Sequence, residues 1–263
     1  MGSLFFLFLN KGGVTMWYRV RKSWADEASQ IGAYQDFNNA VAKATANPGY
    51  SVFDPDGNVA YVPPKKSVVQ TMDYMAKLKK KIGGHSKGSV VRVTRDRKKR
   101  WLMYDGTVVP NKSDMDLTKQ IYDASECYSK AVAEAWVNQE GFKSKTDWLF
   151  WCNKYTQRVY IFQRINNYWV LQKTYKCGTG NIAYGDGSDQ GVGFGWKIWD
   201  KQREFKGPRG TQYWNMHYSS LYGNSIHKGS VGKPSTHGCI SMANAAVQWV
   251  FNNLPLNTKV IVY

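Results

Sequence analysis

Apolar and polar positions alternate around Tyr18 and Val20, with charged neighbours between them, and this period of two predicts a strand. Over residues 36–46 the spacing changes to Phe37, Ala40, Val41 and Ala44, the stripe of a short helix, with Asn38 or Asn39 placed to cap it. Asn47-Pro48-Gly49 ends that helix, and "YSVFD", "PDGN" and "VAYV" then read as strand, tight turn and strand. Residues 17–63 are therefore expected to form a small β-α-β-β module, closed by a "PPKK" linker at residues 63–66. Further on, Ile121, Ala124, Tyr128, Val132 and Trp136 predict a helix over residues 116–137, stopped by "NQEG". After residue 143 the texture becomes β. "TDWLFWCN", "QRVYIFQR" and "YWVLQKTYKCG" read as three strands, and "ISMANAAVQWVF" returns to helical spacing near the end. The class is α+β, with residues 64–142 a basic linker and helical connecting region and residues 143–263 a separate domain.

Composition adds a core and a charge. The chain of 263 residues is 43% hydrophobic and 15% aromatic, which excludes global disorder. Its formal net charge is +17, and residues 77–100 hold eleven Lys or Arg against one acid, so the basicity is concentrated. Such a patch suits an anionic wall polymer, a phospholipid surface or a nucleic acid. No zinc finger, RNA-recognition signature or stacking-aromatic pattern accompanies it, which argues against specific nucleic-acid recognition. The glycine-rich "YGDGSDQGVGFG" lacks the Lys-Ser/Thr of a phosphate cradle and reads as a loop.

Four cysteines, Cys127, Cys152, Cys177 and Cys239, are widely spaced with no CxxC among them, so neither a metal site nor a disulfide framework is expected. Cys127, Cys152 and Cys177 read as buried small hydrophobes. The apolar run at residues 4–9 is too short to span a membrane, and it lacks a basic n-region and a cleavage site. Residues 10–16 back-translate to a sequence resembling a ribosome-binding site ahead of an ATG. Residues 1–16 are therefore read as translated leader or a short apolar tail, with Met16 as initiator.

Chemistry concentrates in "KPSTHGCISM". A catalytic thiol needs a thiolate, a base and oxyanion donors. His237 and Cys239 are two residues apart and share one side of an extended segment. Gly238 lets backbone approach a substrate, and amides over residues 236–239 are placed to act as oxyanion donors. The helix that follows Cys239 would itself favour a thiolate.

These residues resemble the [S/T]HGC signature of the L,D-transpeptidase (YkuD-type) catalytic domain. "VGKPSTHGC" is similar to the family's approach to the cysteine, "NMHYSSLY" to its upstream strand, and "ANAAVQWVFNNLPLNTKVIVY" to its closing helix and strand. The resemblance implies a β-sandwich-like domain over residues 143–263 and a Cys239 acyl-enzyme drawn from a peptidoglycan tetrapeptide stem, resolved by an amine into a 3-3 cross-link. Water as acceptor would make an L,D-carboxypeptidase, and a wall-binding relative without activity is the further alternative. It also implies a general base upstream. Eighteen residues separate His217 from Thr236 and eight separate His227 from it, and the strand-like context of His217 favours His217. His237 would orient the site, while Gly238, Thr236 and Ser219 or Ser220 would line it. Ser241 departs from the Arg or Asn usual two positions after the cysteine. No cofactor is implied. Residues 17–62 resemble small modules found beside wall-lytic domains of Gram-positive bacteria, and the workplace implied is extracytoplasmic and wall-associated, with no transmembrane span.

Overall fold

The computed structural model describes residues 16–45, 47, 49–62, 69–70, 72–95, 100–184, 193–208 and 210–263. The apolar leader, the 63–66 linker, the basic run 96–99 and the centre of the glycine-rich stretch, 185–192, lie outside the described residues.

Strands β1 (Tyr18–Arg21), β2 (Gly32–Tyr34), β3 (Ser51–Phe53) and β4 (Val59–Tyr61) form one sheet in the order β2-β1-β3-β4. Helix α1 (Phe37–Thr45) covers it, and Val20, Ala40, Val41, Ala44 and Val52 make the core. The module has one strand more than the pattern predicted, because three residues, Gly-Ala-Tyr, are too few to show a period. Its helix is capped by Asp36 rather than by Asn38 or Asn39. The carboxylate Oδ1 accepts from the amides of both asparagines, at 2.7 and 3.1 Å. The other oxygen accepts from Asn166 Nδ2 at 2.6 Å, tying the module to the C-terminal sheet. Asp36→Ala is expected to cost about 1 kcal/mol of stability through the lost cap. Asp36→Asn keeps a capping acceptor, so thermal unfolding of the two variants separates the cap from the charge.

Where a basic linker and helical connecting region was expected over residues 64–142, the described residues between 72 and 121 are mostly sheet. They hold a five-stranded sheet, β5 (Asp73–Leu78), β6 (Val90–Arg95), β7 (Trp101–Met103), β8 (Val108–Val109) and β9 (Met115–Ile121), in the order β8-β7-β6-β5-β9. Tyr74, Ala76 and Leu78 point into its core with Val91, Val93, Trp101 and Met115, while the intervening Lys77 is exposed. The helix predicted over residues 116–137 is half strand. Met115 and Leu117 of β9 pack into the core, and α2 (Lys130–Gln139) begins only at Ser129, whose Oγ accepts from Val132 N at 3.3 Å. Between them Asp123 turns the chain by accepting from the amide and hydroxyl of Ser125. Cys127, in this turn, is exposed, not buried.

The C-terminal half is one curled sheet of nine strands. They are β10 (Trp148–Asn153), β11 (Arg158–Ile165), β12 (Tyr168–Gly178), β13 (Gly193–Lys197), β14 (Asp200–Gly207), β15 (Gly210–Ser219), β16 (Asn224–Lys228), β17 (Ile240–Met242) and β18 (Lys259–Val262). The order is β13-β18-β10-β11-β12-β17-β16-β15-β14. Helices cover both faces, which explains the nearly unbroken apolar runs. Phe150, Cys152, Val159, Ile161, Val260 and Val262 pack toward α3 (Asn244–Asn253) and its Ala246, Val247 and Val250. The alternate residues Leu149, Trp151, Tyr160, Phe162 and Ile261 pack toward Trp136 and Val137 of α2, with Trp136 and Trp151 stacked at 4.2 Å. Cys152 and Cys177 are buried, free thiols with their sulfurs 3.8 Å apart, and burial pushes the Cys177 thiol up. Among the described residues no helix is long and apolar enough to cross a membrane.

Candidate active site

The short inner strand β17 directly follows the loop that ends at Cys239. It pairs antiparallel with β12 on one side and parallel with β16 on the other, with Ile226 opposite Ile240 and His227 opposite Ser241. Cys239 lies just ahead of it, half-buried, so Ser225 and His227 of β16 flank the thiol.

His227, not His217, is the imidazole at the thiol. Its Nδ1 stands 2.8 Å from the carbonyl oxygen of Lys228. Donation there leaves Nε2 as the acceptor toward Cys239. Burial pushes the Cys239 thiol up, but the hydrogen bond and charge of His227, joined by Ser225, outweigh it and leave the pKa lowered. Burial lowers His227 in turn, while Cys239 and the Lys228 carbonyl raise it, and the net shift is upward. Both shifts favour a thiolate–imidazolium pair.

His217 lies farther out on the sheet. In β15 it pairs with Ser225 of β16 on one side and Asp200 of β14 on the other, which puts one strand between it and Cys239. Neighbouring strands are about 4.8 Å apart, too far for a direct proton transfer across the intervening one. Its Nδ1 is 3.2 Å from Asp200 Oδ2, and its ring lies between Trp199 and Phe205. The strand-like context that favoured His217 reported sheet position, not contact with the thiol.

The remaining predicted residues divide between loop and scaffold. Thr236 staples the loop, since its hydroxyl accepts from Gly238 N at 3.2 Å and donates to Cys239 O at 2.7 Å. That bond occupies the Gly238 amide, and Thr236 N donates to Thr179 O, so neither serves as the expected oxyanion donor. Gly238, at φ 129°, instead turns its carbonyl to the Tyr218 hydroxyl, 3.0 Å away. His237 is half-buried with its ring stacked on Tyr184 at 4.3 Å. Ser219 is fully buried and its Oγ accepts from Tyr222 N, which makes it a turn residue and not a pocket lining. Ser241, also buried, donates to the Ser230 carbonyl.

Ser225 was not singled out by the pattern. Its Oγ is 3.8 Å from Cys239 Sγ, donates to Gln212 Oε1 at 3.1 Å and accepts from Asn215 Nδ2 at 3.0 Å. No local motif marks it, because its partner is fourteen residues away across a parallel strand pair. Among the described residues no three His, Cys, Asp or Glu side chains converge as metal ligands would.

A half-buried thiol with a lowered pKa, beside an imidazole fixed in one tautomer, is the layout of a cysteine acyl-transfer site. Residues 147–262 match the family model of the L,D-transpeptidase catalytic domain, YkuD, and this part of the chain is such a domain. The match ends short of β1–β9, α1 and α2. No curated protein matches the sequence significantly. Among solved structures, a fused Zn-dependent amidase/peptidase/peptidoglycan-binding domain-containing protein from Clostridium acetobutylicum ATCC 824 is 23% identical, over 51% of this chain and 59% of that one, with a TM-score of 0.40. The L,D-transpeptidase from Mycobacterium smegmatis is 13% identical, over 44% and 58%, at 0.37. That from Stackebrandtia nassauensis is 15% identical, over 52% and 67%, at 0.39. The chain thus spans under two thirds of the length of the first two, 59% and 58%.

Proposed function

We propose that the chain is a peptidoglycan L,D-transpeptidase in which Cys239 is the nucleophile and His227 its base. The observation that carries this reading is geometric: the parallel register of β16 and β17 brings Ser225 and His227 beside Cys239, with Ser225 Oγ 3.8 Å from Sγ, and the contact with His227 favours the thiolate. The thiolate attacks the carbonyl of the third, L-centred residue of a tetrapeptide stem. The C–N bond to the terminal D-Ala breaks, and the imidazolium proton goes to the leaving amine. The amide of Cys239 itself is the oxyanion donor we assign, since those of Thr236 and Gly238 are committed inside the loop. An acceptor amine, deprotonated by His227, then resolves the thioester into a 3-3 cross-link. Water in its place gives the tripeptide. His237 holds one wall of the site through its stack on Tyr184.

This substrate places the working site outside the cytoplasm at the wall. Within the same reading, the 17–63 module and the five-stranded sheet carry wall attachment, the sheet through its cationic residues toward anionic polymer.

Intact-mass spectrometry with a disaccharide-tetrapeptide tests the reading. The expected result is an adduct equal to the stem less D-Ala, mapping to Cys239, with Cys127, Cys152 and Cys177 unmodified and cross-linked dimer accumulating. Dimer against tripeptide decides between transfer and hydrolysis. No adduct and no product with stems of either common third residue sinks the proposal in favour of a wall-binding role.

A further inference from the structure

Residues 179–184 form a strap between the five-stranded sheet and the catalytic loop. On the sheet side Gln120, near the end of β9, meets the strap with both ends of its amide. Its Nε2 donates to Gly180 O at 2.9 Å, and its Oε1 accepts from Ile182 N at 3.1 Å. The same Nε2 lies 3.1 Å from Met72 Sδ. On the loop side, Gly180 bridges to Thr236 and Asn181 N donates to Thr236 O at 2.8 Å. Asn181 Nδ2 donates to Pro234 O at 3.1 Å, and Tyr184 stacks on His237. Thr236 then fixes Gly238 and Cys239 through its hydroxyl.

The space beside this strap is open. A cavity of about 500 Å³ is lined by Lys79, Lys112, Asp116, Leu117 and Ile182. On that flank Ile182 packs only at the margin of the sheet's core, so the hydrogen bonds of Gln120 share the task of setting the strap's position.

We infer that Gln120, outside the family-matched residues, is a positioning residue of the Cys239 site, acting through the 179–184 strap on the loop that carries the thiol. The five-stranded sheet is on this account a working part of the catalytic unit. The inference rests on the reading of Cys239 as nucleophile, and its test separates the two.

The test uses the full chain and Gln120→Met, which keeps length and packing but makes neither amide bond, beside Gln120→Ala. Hydrogen exchange by mass spectrometry and iodoacetamide alkylation of Cys239 across pH are read together. Losing two hydrogen bonds is expected to speed exchange about tenfold in peptides covering 178–184 and 234–240, leaving α3 unchanged. The Cys239 alkylation midpoint is expected to move up, and kcat to fall about five- to tenfold with KM little changed, as for a group that orients the reacting atoms. Unchanged exchange at 234–240 in Gln120→Met overturns the inference. So does faster exchange confined to β5–β9. If wild-type Cys239 alkylates no faster than the exposed Cys127, the nucleophile reading fails, while the exchange arm still decides whether Gln120 holds the loop.

Discussion

Replacing His227 with alanine is expected to lower kcat by about 10²- to 10⁴-fold, the contribution of a positioned acid–base group. Cys239→Ala is expected to remove product altogether. His217→Ala, by contrast, should leave the rate within about threefold of wild type, a change of under about 0.7 kcal/mol in the barrier. The pH profile gives the sign. A thiol held below its ordinary value of 9.0 becomes thiolate at lower pH, so the acid limb of the wild-type profile lies below that value. An imidazole held above 6.5 keeps the proton needed by the leaving amine to higher pH, so the basic limb lies above that value. Without His227, burial is the largest influence left on Cys239 and acts upward, so the alkylation midpoint should rise. Stopped-flow alkylation of both variants across pH checks this. A normal midpoint in His227→Ala together with a raised one in His217→Ala would return the base to His217.

What could be read from the chain followed the range of the interactions. Phe150-Trp151-Cys152 and Tyr160-Ile161-Phe162 announce strands because residues on both faces of the C-terminal sheet are buried. His237-Gly238-Cys239 draws attention to Cys239 because it is a local motif, although His237 stacks on Tyr184 and the Gly238 amide is bonded to Thr236. The imidazole beside the thiol was harder to read. His227 reaches Cys239 through the register of two parallel strands, which no local spacing encodes, and Ser225 arrives the same way. The five-stranded sheet was hidden for another reason. Its strands are short, Lys77 and Arg92 stand among the outward positions, and Ile121, Ala124 and Tyr128 fall by chance at helical intervals across a strand end and a turn. Charge masked a period of two that the inward residues Tyr74, Ala76 and Leu78 nevertheless keep.

Ser241→Arg is expected to destabilise the C-terminal domain by about 3 kcal/mol or more, although arginine is a residue the family resemblance leads one to expect there. The position is closed on every side that the structure describes. Ser241 is 1% exposed, and its Oγ donates to the Ser230 carbonyl. A Cβ on Gly178 would lie 2.6 Å from that same Oγ, and one on Gly229 would lie 2.8 Å from Ser241 Cβ. Two glycines and a serine thus occupy the volume that a long cation would need. Forcing a guanidinium into it either buries a charge, at several kcal/mol, or displaces residues 229–230. At about 2–4 °C per kcal/mol, the expected fall in Tm is about 6–12 °C. Ser241→Ala, which leaves the Ser230 carbonyl without its donor, should cost about 1–3 kcal/mol with the thiol chemistry intact. Differential scanning calorimetry and the alkylation rate of Cys239, measured on the same samples, separate fold from chemistry. If Ser241→Arg keeps its Tm and gains rate, the serine is a lost catalytic feature. A lower Tm with an unchanged thiol pKa makes it part of a site rebuilt around smaller residues.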